Sequence, residues 1–280
     1  MKYFSILCNM SLVLFVGVDL STSASFDCSK AATKSEKLIC SDQQLSAADD
    51  ELAKMYRRAM ESPSDKERVK KEQQSWIKTG RDACQDAPCM LKAYKSRIAE
   101  LESGMQKTVQ DALREANEHF TFQGKPINPR PLNDLLPWQS DLFPGPVAVD
   151  LKGGENRYSA EITVLEKGIV RAAWTEGQDQ LFFQYEHLGL LANGMHVVET
   201  WGGTGGSGIF CDLLLVKFSI DTEYGDGGVL RSRLIMMRTG AFGLGAGYNG
   251  SIKVQPNEIS IGPGGTGNRE KAKTEVISFK

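Results

Sequence analysis

Four cysteines between Cys28 and Cys89 constrain this chain more than any other feature. They read Cys-x11-Cys and, further on, Cys-x4-Cys, threaded through short amphipathic helices. So small a helical segment buries too little apolar surface to be stable by itself, and disulfides supply the missing constraint. Disulfides belong to oxidising compartments, so the same four residues also give an address. Cys211 is left over, on the strand-like run Gly208 to Leu213, and is expected to be buried and inert.

The N-terminus points the same way. Lys2 precedes an almost wholly apolar run from Tyr3 to Val18, and small residues follow at Ser21 to Ser25. This pattern predicts a secretory signal peptide over residues 1–24, cut after Ala24. The apolar run is shorter than the roughly 20 residues a spanning helix needs. No membrane span is therefore expected after cleavage. A lipid anchor on Cys28 is not expected either, because Ser25-Phe26-Asp27 precede it. The remaining chain is long enough for two domains. A net charge of −2 and the absence of a basic block argue against nucleic acid as a partner.

Residues 26–103 predict a small antiparallel helical bundle. Thr33-x-x-Glu36, Ser41-x-x-Gln44 and Ser64-x-x-Glu67 each match a capping box, in which both side chains satisfy backbone N–H groups at a helix start. Leu45, Ala48, Leu52, Tyr56 and Ala59 form one apolar stripe, and Val69, Gln73, Trp76, Ile77 and Gly80 a second. After Pro88, Leu91, Tyr94, Ile98 and Leu101 form a third. Short connections imply antiparallel neighbours, which gathers Cys28, Cys40, Cys84 and Cys89 at one end. Three connectivities are possible. Neighbour pairing, Cys28 with Cys40 and Cys84 with Cys89, is the simplest. Zinc is not expected, since no histidine falls in the segment and the spacings are not those of a zinc site. Glu36, Asp49, Tyr56, Trp76 and Arg81 are expected to form a partly buried network that clasps the helices. The run Asp49-Asp50-Glu51 reads as a solvated face.

Asp27-Cys28, Ala32-Thr33, Glu36, Ile39-Cys40, Leu45, Asp49, Leu52 and Tyr56, followed by Trp76, Arg81-Asp82-x-Cys84, Cys89, Tyr94, Arg97-Ile98 and Leu101, resemble the lysozyme inhibitor LprI-like N-terminal domain family. The resemblance covers residues 28–101. It implies a disulfide-bonded helical module of exported bacterial proteins, a periplasmic or secreted location, and inhibition of lysozyme as the named activity. Charge adds no independent support. Between Phe26 and Met105 there are 15 Lys and Arg against 14 Asp and Glu, so no acidic field would steer the segment onto a basic enzyme.

The grammar changes after Ser103-Gly104. A short helix is expected over Val109 to Glu118. A proline-rich stretch from Pro126 to Pro131 follows, which reads as non-helical. Ten strand-like runs then fill residues 147–279, and the domain as a whole spans 106–280. Their spacing and Gly-rich turns predict an antiparallel sandwich or barrel-like sheet. Ser251 to Gln255, a Pro256-Asn257 turn and Glu258 to Ile261 predict a hairpin. The expected class is α+β in two domains.

Chemistry is sparse in this second domain. Gly203-Thr204-Gly205-Gly206-Ser207-Gly208 matches GxGxxG, yet a strand follows where a dinucleotide site needs a helix, so no cofactor is expected. His119, His187 and His196 lack metal-ligand spacing. A Cys211–His196 dyad would need a chance meeting in space. Two Gly-rich stretches, one with Gly203, Gly205 and Ser207 and one from Gly240 to Gly250 with Phe242 and Tyr248, read as loops able to hold a ligand or partner. Together these features predict a non-enzymatic exported protein acting by protein–protein contact, with lysozyme as the leading target. The alternative is an envelope binding or scaffolding protein whose β domain holds a glycan, peptide or envelope protein.

Overall fold

A computed structural model of the chain describes residues 24–61, 65–137, 147–158, 160–203, 208–224, 230–265 and 273–279. The expected leader lies outside these residues up to position 23, as do Ser64 of the third capping box, Gly205 and Ser207. The chain is α+β and divides into two compact units, residues 1–103 and 104–280.

The helical unit opens with a 3-10 turn, Cys28–Lys30, capped by Asp27. Helix α1, Lys34–Ser41, begins with a complete capping box: Thr33 accepts from the Glu36 N–H and Glu36 reaches back to the Thr33 N–H. The Ser41 cap does not form. Ser41 ends α1 and its hydroxyl donates to the Leu38 carbonyl. Helix α2, Gln43–Ala59, is capped one residue later by Asp42, which accepts from Gln44 and Leu45. An aspartate beside a serine competes for the same orphan N–H groups, and its charge suits the positive end of the helix. Helix α3, Lys66–Trp76, runs into a π-helical turn, Ile77–Arg81.

Helix α4, Ala87–His119, corrects two expectations at once. Its inward stripe is Met90, Tyr94, Arg97 and Leu101, rotated from the expected one so that Leu91 and Ile98 are only half-buried. It also continues through Ser103-Gly104, where a break was expected. A helical glycine costs about 1 kcal/mol, a penalty that strong helix formers such as Glu102, Met105 and Lys107 outweigh.

In the β unit, Phe120 leaves α4 with a left-handed φ of 54°. A two-residue hairpin follows, β1 (Thr121–Phe122) with β2 (Lys125–Pro126). The proline-rich stretch turns out partly helical. Helix α5, Pro129–Asp134, carries its prolines in the first turn, where the missing N–H would have had no partner. Asn128 caps it by accepting from Arg130. Helix α6, Leu151–Arg157, follows strand β3, Ala148–Asp150.

Strands β4 (Glu161–Val164), β5 (Val170–Glu176), β6 (Asp179–Leu190), β7 (His196–Gly203), β8 (Ile209–Tyr224) and β9 (Leu230–Ala246) run as an antiparallel meander. β3 returns to pair with β9, giving the seven-stranded order β3-β9-β8-β7-β6-β5-β4. The sheet is a half-barrel. β10 (Ile252–Gln255), β11 (Glu258–Ile261) and β12 (Glu275–Ser278) form a second antiparallel sheet, in which β10 and β11 make the expected hairpin.

Two apolar cores occupy opposite faces of the large sheet. One collects Val198, Leu214, Val216 and Met236 with Phe120, Leu132, Leu135 and Leu151 from the helical segments. The other collects Val197, Leu213 and Leu215 with Ile259 and Ile261 of the small sheet. Successive residues of β8 therefore serve alternate cores, which is why Cys211 to Val216 lacks the apolar–polar alternation of a half-exposed strand.

Candidate functional site

The helical unit that carries the candidate side chains is tied by two disulfides, Cys28–Cys40 and Cys84–Cys89. The first ties the 3-10 turn to the end of α1. The second closes the reversal between the π-helical turn and α4.

Between these staples lies a polar centre that the sequence reading saw only in part. Asp49, expected both on a solvated acidic face and in a partly buried network, is 7 % exposed. The Tyr94 hydroxyl donates to its Oδ1 at 2.7 Å, while the Ser25 backbone N–H and hydroxyl donate to Oδ2 at 2.8 and 2.6 Å. Three donors on one carboxylate explain how a charge can be buried in so small a unit. Burial and the hydrogen bond to Asp49 push the Tyr94 hydroxyl far above its ordinary pKa.

Trp76 packs edge-on against Tyr94 with ring centroids 5.2 Å apart. Gly80 is small because a Cβ there would come within 2.8 Å of the Trp76 indole. Arg81 binds Asp82 at 2.8 Å and acts electrostatically on Tyr94 and Asp49. The structure thus places Asp49, Trp76 and Arg81 around Tyr94. Glu36 stands apart as a capping residue, held below the usual carboxylate range by the Thr33 and Ala32 N–H groups. Tyr56 is half-buried on α2, its expected place in the stripe taken by Met55. Tyr94 was read as apolar stripe. The available signal was a hydroxyl-tipped aromatic recurring at helical spacing with Arg97, opposite an acidic α2 face.

An open groove of about 490 Å³ runs beside the second disulfide, lined by Gly80, Ala83, Cys84, Cys89, Lys92 and Ala93.

The β unit offers less than its Gly-rich stretches promised. The segment from Gly240 is no loop up to Ala246. It is the end of β9, with Gly240 opposite Leu215 and Phe242 opposite Leu213. Glycine there lets the sheet pack closely, since a Cβ on Gly240 would meet the Leu215 side chain at 3.2 Å. Tyr248 is buried in the second core and its hydroxyl donates to the Gly262 carbonyl at 3.0 Å. Gly203 ends β7, opposite Ile209. Cys211 is free and buried, and burial raises its thiol pKa to about 11. His196 faces Val216 on the β7–β8 ladder while Cys211 faces Trp201. Five residues of strand separate them, about 17 Å, and they serve opposite faces, so no dyad forms.

His187 and His196 do meet, with Nε2 and Nδ1 3.1 Å apart. Phe120 stacks on His187 at 4.5 Å, and Phe218 packs edge-on to His196. The pair sits in an apolar cage, where burial lowers both pKa values, His196 to about 4. On the other face Glu199 lies opposite Glu186, and burial with that like charge raises its pKa to about 7. Among the described residues, no three His, Cys, Asp or Glu are placed to hold a metal ion.

The family described as Lysozyme inhibitor LprI matches residues 28–120, which spans the helical unit and the whole of α4. Lipoprotein LprI of Mycobacterium bovis is 36 % identical over 147 residues, covering 49 % of this chain and 72 % of the relative. The proteins of the same name from two strains of Mycobacterium tuberculosis match to the same extent. No solved structure matches the chain. With this identity over most of the relatives' length, and with the matched residues forming the disulfide-stapled unit around Asp49 and Tyr94, the chain belongs to the LprI family.

Proposed function

We propose that this is an exported, non-enzymatic protein that inhibits lysozyme through its helical unit. The observation that carries the reading is the coincidence of the family match at residues 28–120 with the unit that holds both disulfides. Two staples in so small a unit fit a periplasmic or extracellular location. The buried Asp49–Tyr94 centre keeps the helices in one arrangement, so the surface beside Cys84–Cys89 is pre-organised before it meets a partner. Association would depend on shape more than on charge, because the unit is nearly neutral.

The direct test is lysozyme clearing of a cell-wall suspension in the presence of the oxidised chain. Inhibition near equimolar protein, lost on reduction and alkylation, supports the reading. Undiminished clearing at a large molar excess rejects it.

A second reading, envelope binding through the β unit, rests on strand β4. It is a sheet edge whose side chains are exposed, with Ile162 at 38 % and Val164 at 57 %. Open apolar edges accept a strand from another chain. Retrieval of one specific envelope protein by the wild-type chain, abolished by Val164→Lys, would favour it.

A further inference from the structure

The sequence predicts cleavage after Ala24, and the next residue, Ser25, is the one whose backbone nitrogen contacts buried Asp49 at 2.8 Å. The expected cut and the observed contact arise independently, one from the leader pattern and the other from the fold. We infer that removal of the leader creates a partly buried ion pair between the new Ser25 α-ammonium group, which sits at the surface, and the buried Asp49 carboxylate, locking the mature helical unit.

The chemistry balances simply. A signal peptidase hydrolyses the Ala24–Ser25 peptide bond with one water, leaving a carboxylate on Ala24 and an amine on Ser25. At neutral pH the amine takes up a proton, since its ordinary pKa is about 7.7–8.0. Before cleavage, the nitrogen is a neutral amide with one N–H to give. Afterwards it is a cation with three, already within hydrogen-bond distance of Oδ2.

The charges facing the site show why this matters. Asp49 comes from α2, and Tyr94, from α4, is neutral. Arg81, from the π-helical turn, is the nearby cation, but it is bound to Asp82 at 2.8 Å. Asp27, on the Ser25 segment, accepts instead from Ser29. Asp49, Arg81 and Asp82 together carry a net −1, Glu36 from α1 also acts on Arg81, and the Ser25 ammonium offsets one of these negative charges. A buried carboxylate with a partnered cation is far better placed than one without. The hydroxyl of Ser25, 2.6 Å from the same oxygen, fixes the residue in register. A one-residue shift in the cut would therefore misplace the charge.

The inference rests on the export reading proposed above, and the experiment separates the two. Intact mass and N-terminal sequencing of the protein from the cell envelope should show Ser25 as the first residue. An unprocessed chain would overturn both export and the ion pair. A chain cut elsewhere would overturn only the ion pair. With the oxidised chain beginning at Ser25, amine labelling at pH 7 should run at least about tenfold slower than on the peptide Ser-Phe-Asp, the effect of one unit of pKa rise. Labelling at the peptide's rate overturns the inference.

Stability gives a further readout that does not depend on labelling. A chain retaining Ala24 should melt at a lower temperature than one beginning at Ser25. In an Asp49→Asn background that difference should vanish. If Asp49→Asn does not fold, Tyr94→Phe serves, because it leaves the ammonium contact in place and should preserve the difference. Equal melting of the two wild-type chains overturns the ion pair.

Discussion

The helical unit and the β unit differ in what keeps them folded. In the first, two disulfides and one buried carboxylate do much of the organising, and its apolar residues form thin stripes on single helix faces. In the second, a large sheet is covered on both faces, by helical segments on one side and by a small sheet on the other. The lesson is that the two halves answer to different perturbations. Redox state and charge pairing should govern the helices. Solvent exclusion should govern the strands, with the buried histidine pair as their weak point.

Reduction is the perturbation with the largest expected effect. The Cys28–Cys40 closure contributes about 3 kcal/mol on the chain-entropy model and the shorter Cys84–Cys89 closure about 2. Losing both should unfold the helices by about 5 kcal/mol while leaving the strands intact. Circular dichroism melts with and without reductant would show a helical transition moving alone. A common shift of both signals would break the comparison.

Acid should act on the other half. In the fold His196 is held neutral by its apolar cage, with its pKa lowered from 6.5 to about 4. The unfolded chain binds that proton more readily, so this stability is present above about pH 6.5 and is lost as pH falls toward 4. The loss is on the order of 3 kcal/mol, and the lowered pKa of His187 acts in the same direction. Tryptophan fluorescence melts between pH 7 and 4 would measure it. His196→Leu should flatten the profile, and a profile as steep as wild type would exclude the pair as the cause.

Tyr94→Phe tests the polar centre more gently. It removes one of three donors to Asp49, and should cost about 1.5–3 kcal/mol, as for a hydrogen bond to a charged group. Urea unfolding followed by helical ellipticity would report it, with the strand signal unmoved.

Capping distinguishes two neighbouring hydroxyls. Thr33→Ala should cost about 1 kcal/mol, whereas Ser41→Ala, which removes no N-cap, should stay within about 0.5 kcal/mol. Equal effects would contradict the cap at Asp42. Smallest of all is Gly104→Ala. A Cβ there has nothing within 4 Å, so the exchange should stabilise a continuous α4 by about 0.5–1 kcal/mol. Destabilisation would mean that the helix is broken between the units after all.

Much of the architecture was legible in the residues because it is written locally. The strands from Val170 onward follow from β-branched and aromatic runs between turn residues, and the Pro256-Asn257 hairpin from its turn chemistry alone. Helix α1 follows from its capping box and α2 largely from its apolar stripe. Errors clustered where one residue type has two uses. Pro129 and Pro131 read as helix breakers, yet both fit a first turn. Gly240 and Gly243 read as loop, yet in a strand glycine also permits bulges and close sheet packing. Asp49, first of three acids in a row, carried two readings, a solvated face and a partly buried network, because charge is usually exposed.

The candidate centre was the least legible part. Its members, Ser25, Asp49, Trp76, Arg81 and Tyr94, come from distant segments, and no spacing rule joins them. By itself the sequence determined the disulfide-bonded helical module, the α+β class and the antiparallel strand grammar, since each depends on composition or on near neighbours along the chain. Only the tertiary structure decided which acid is buried, which hydroxyl reaches it, that two histidines share one apolar cage, and that Ser25 lies against Asp49. Those facts depend on how helix faces rotate and strands register, and both are set by packing among residues far apart in sequence.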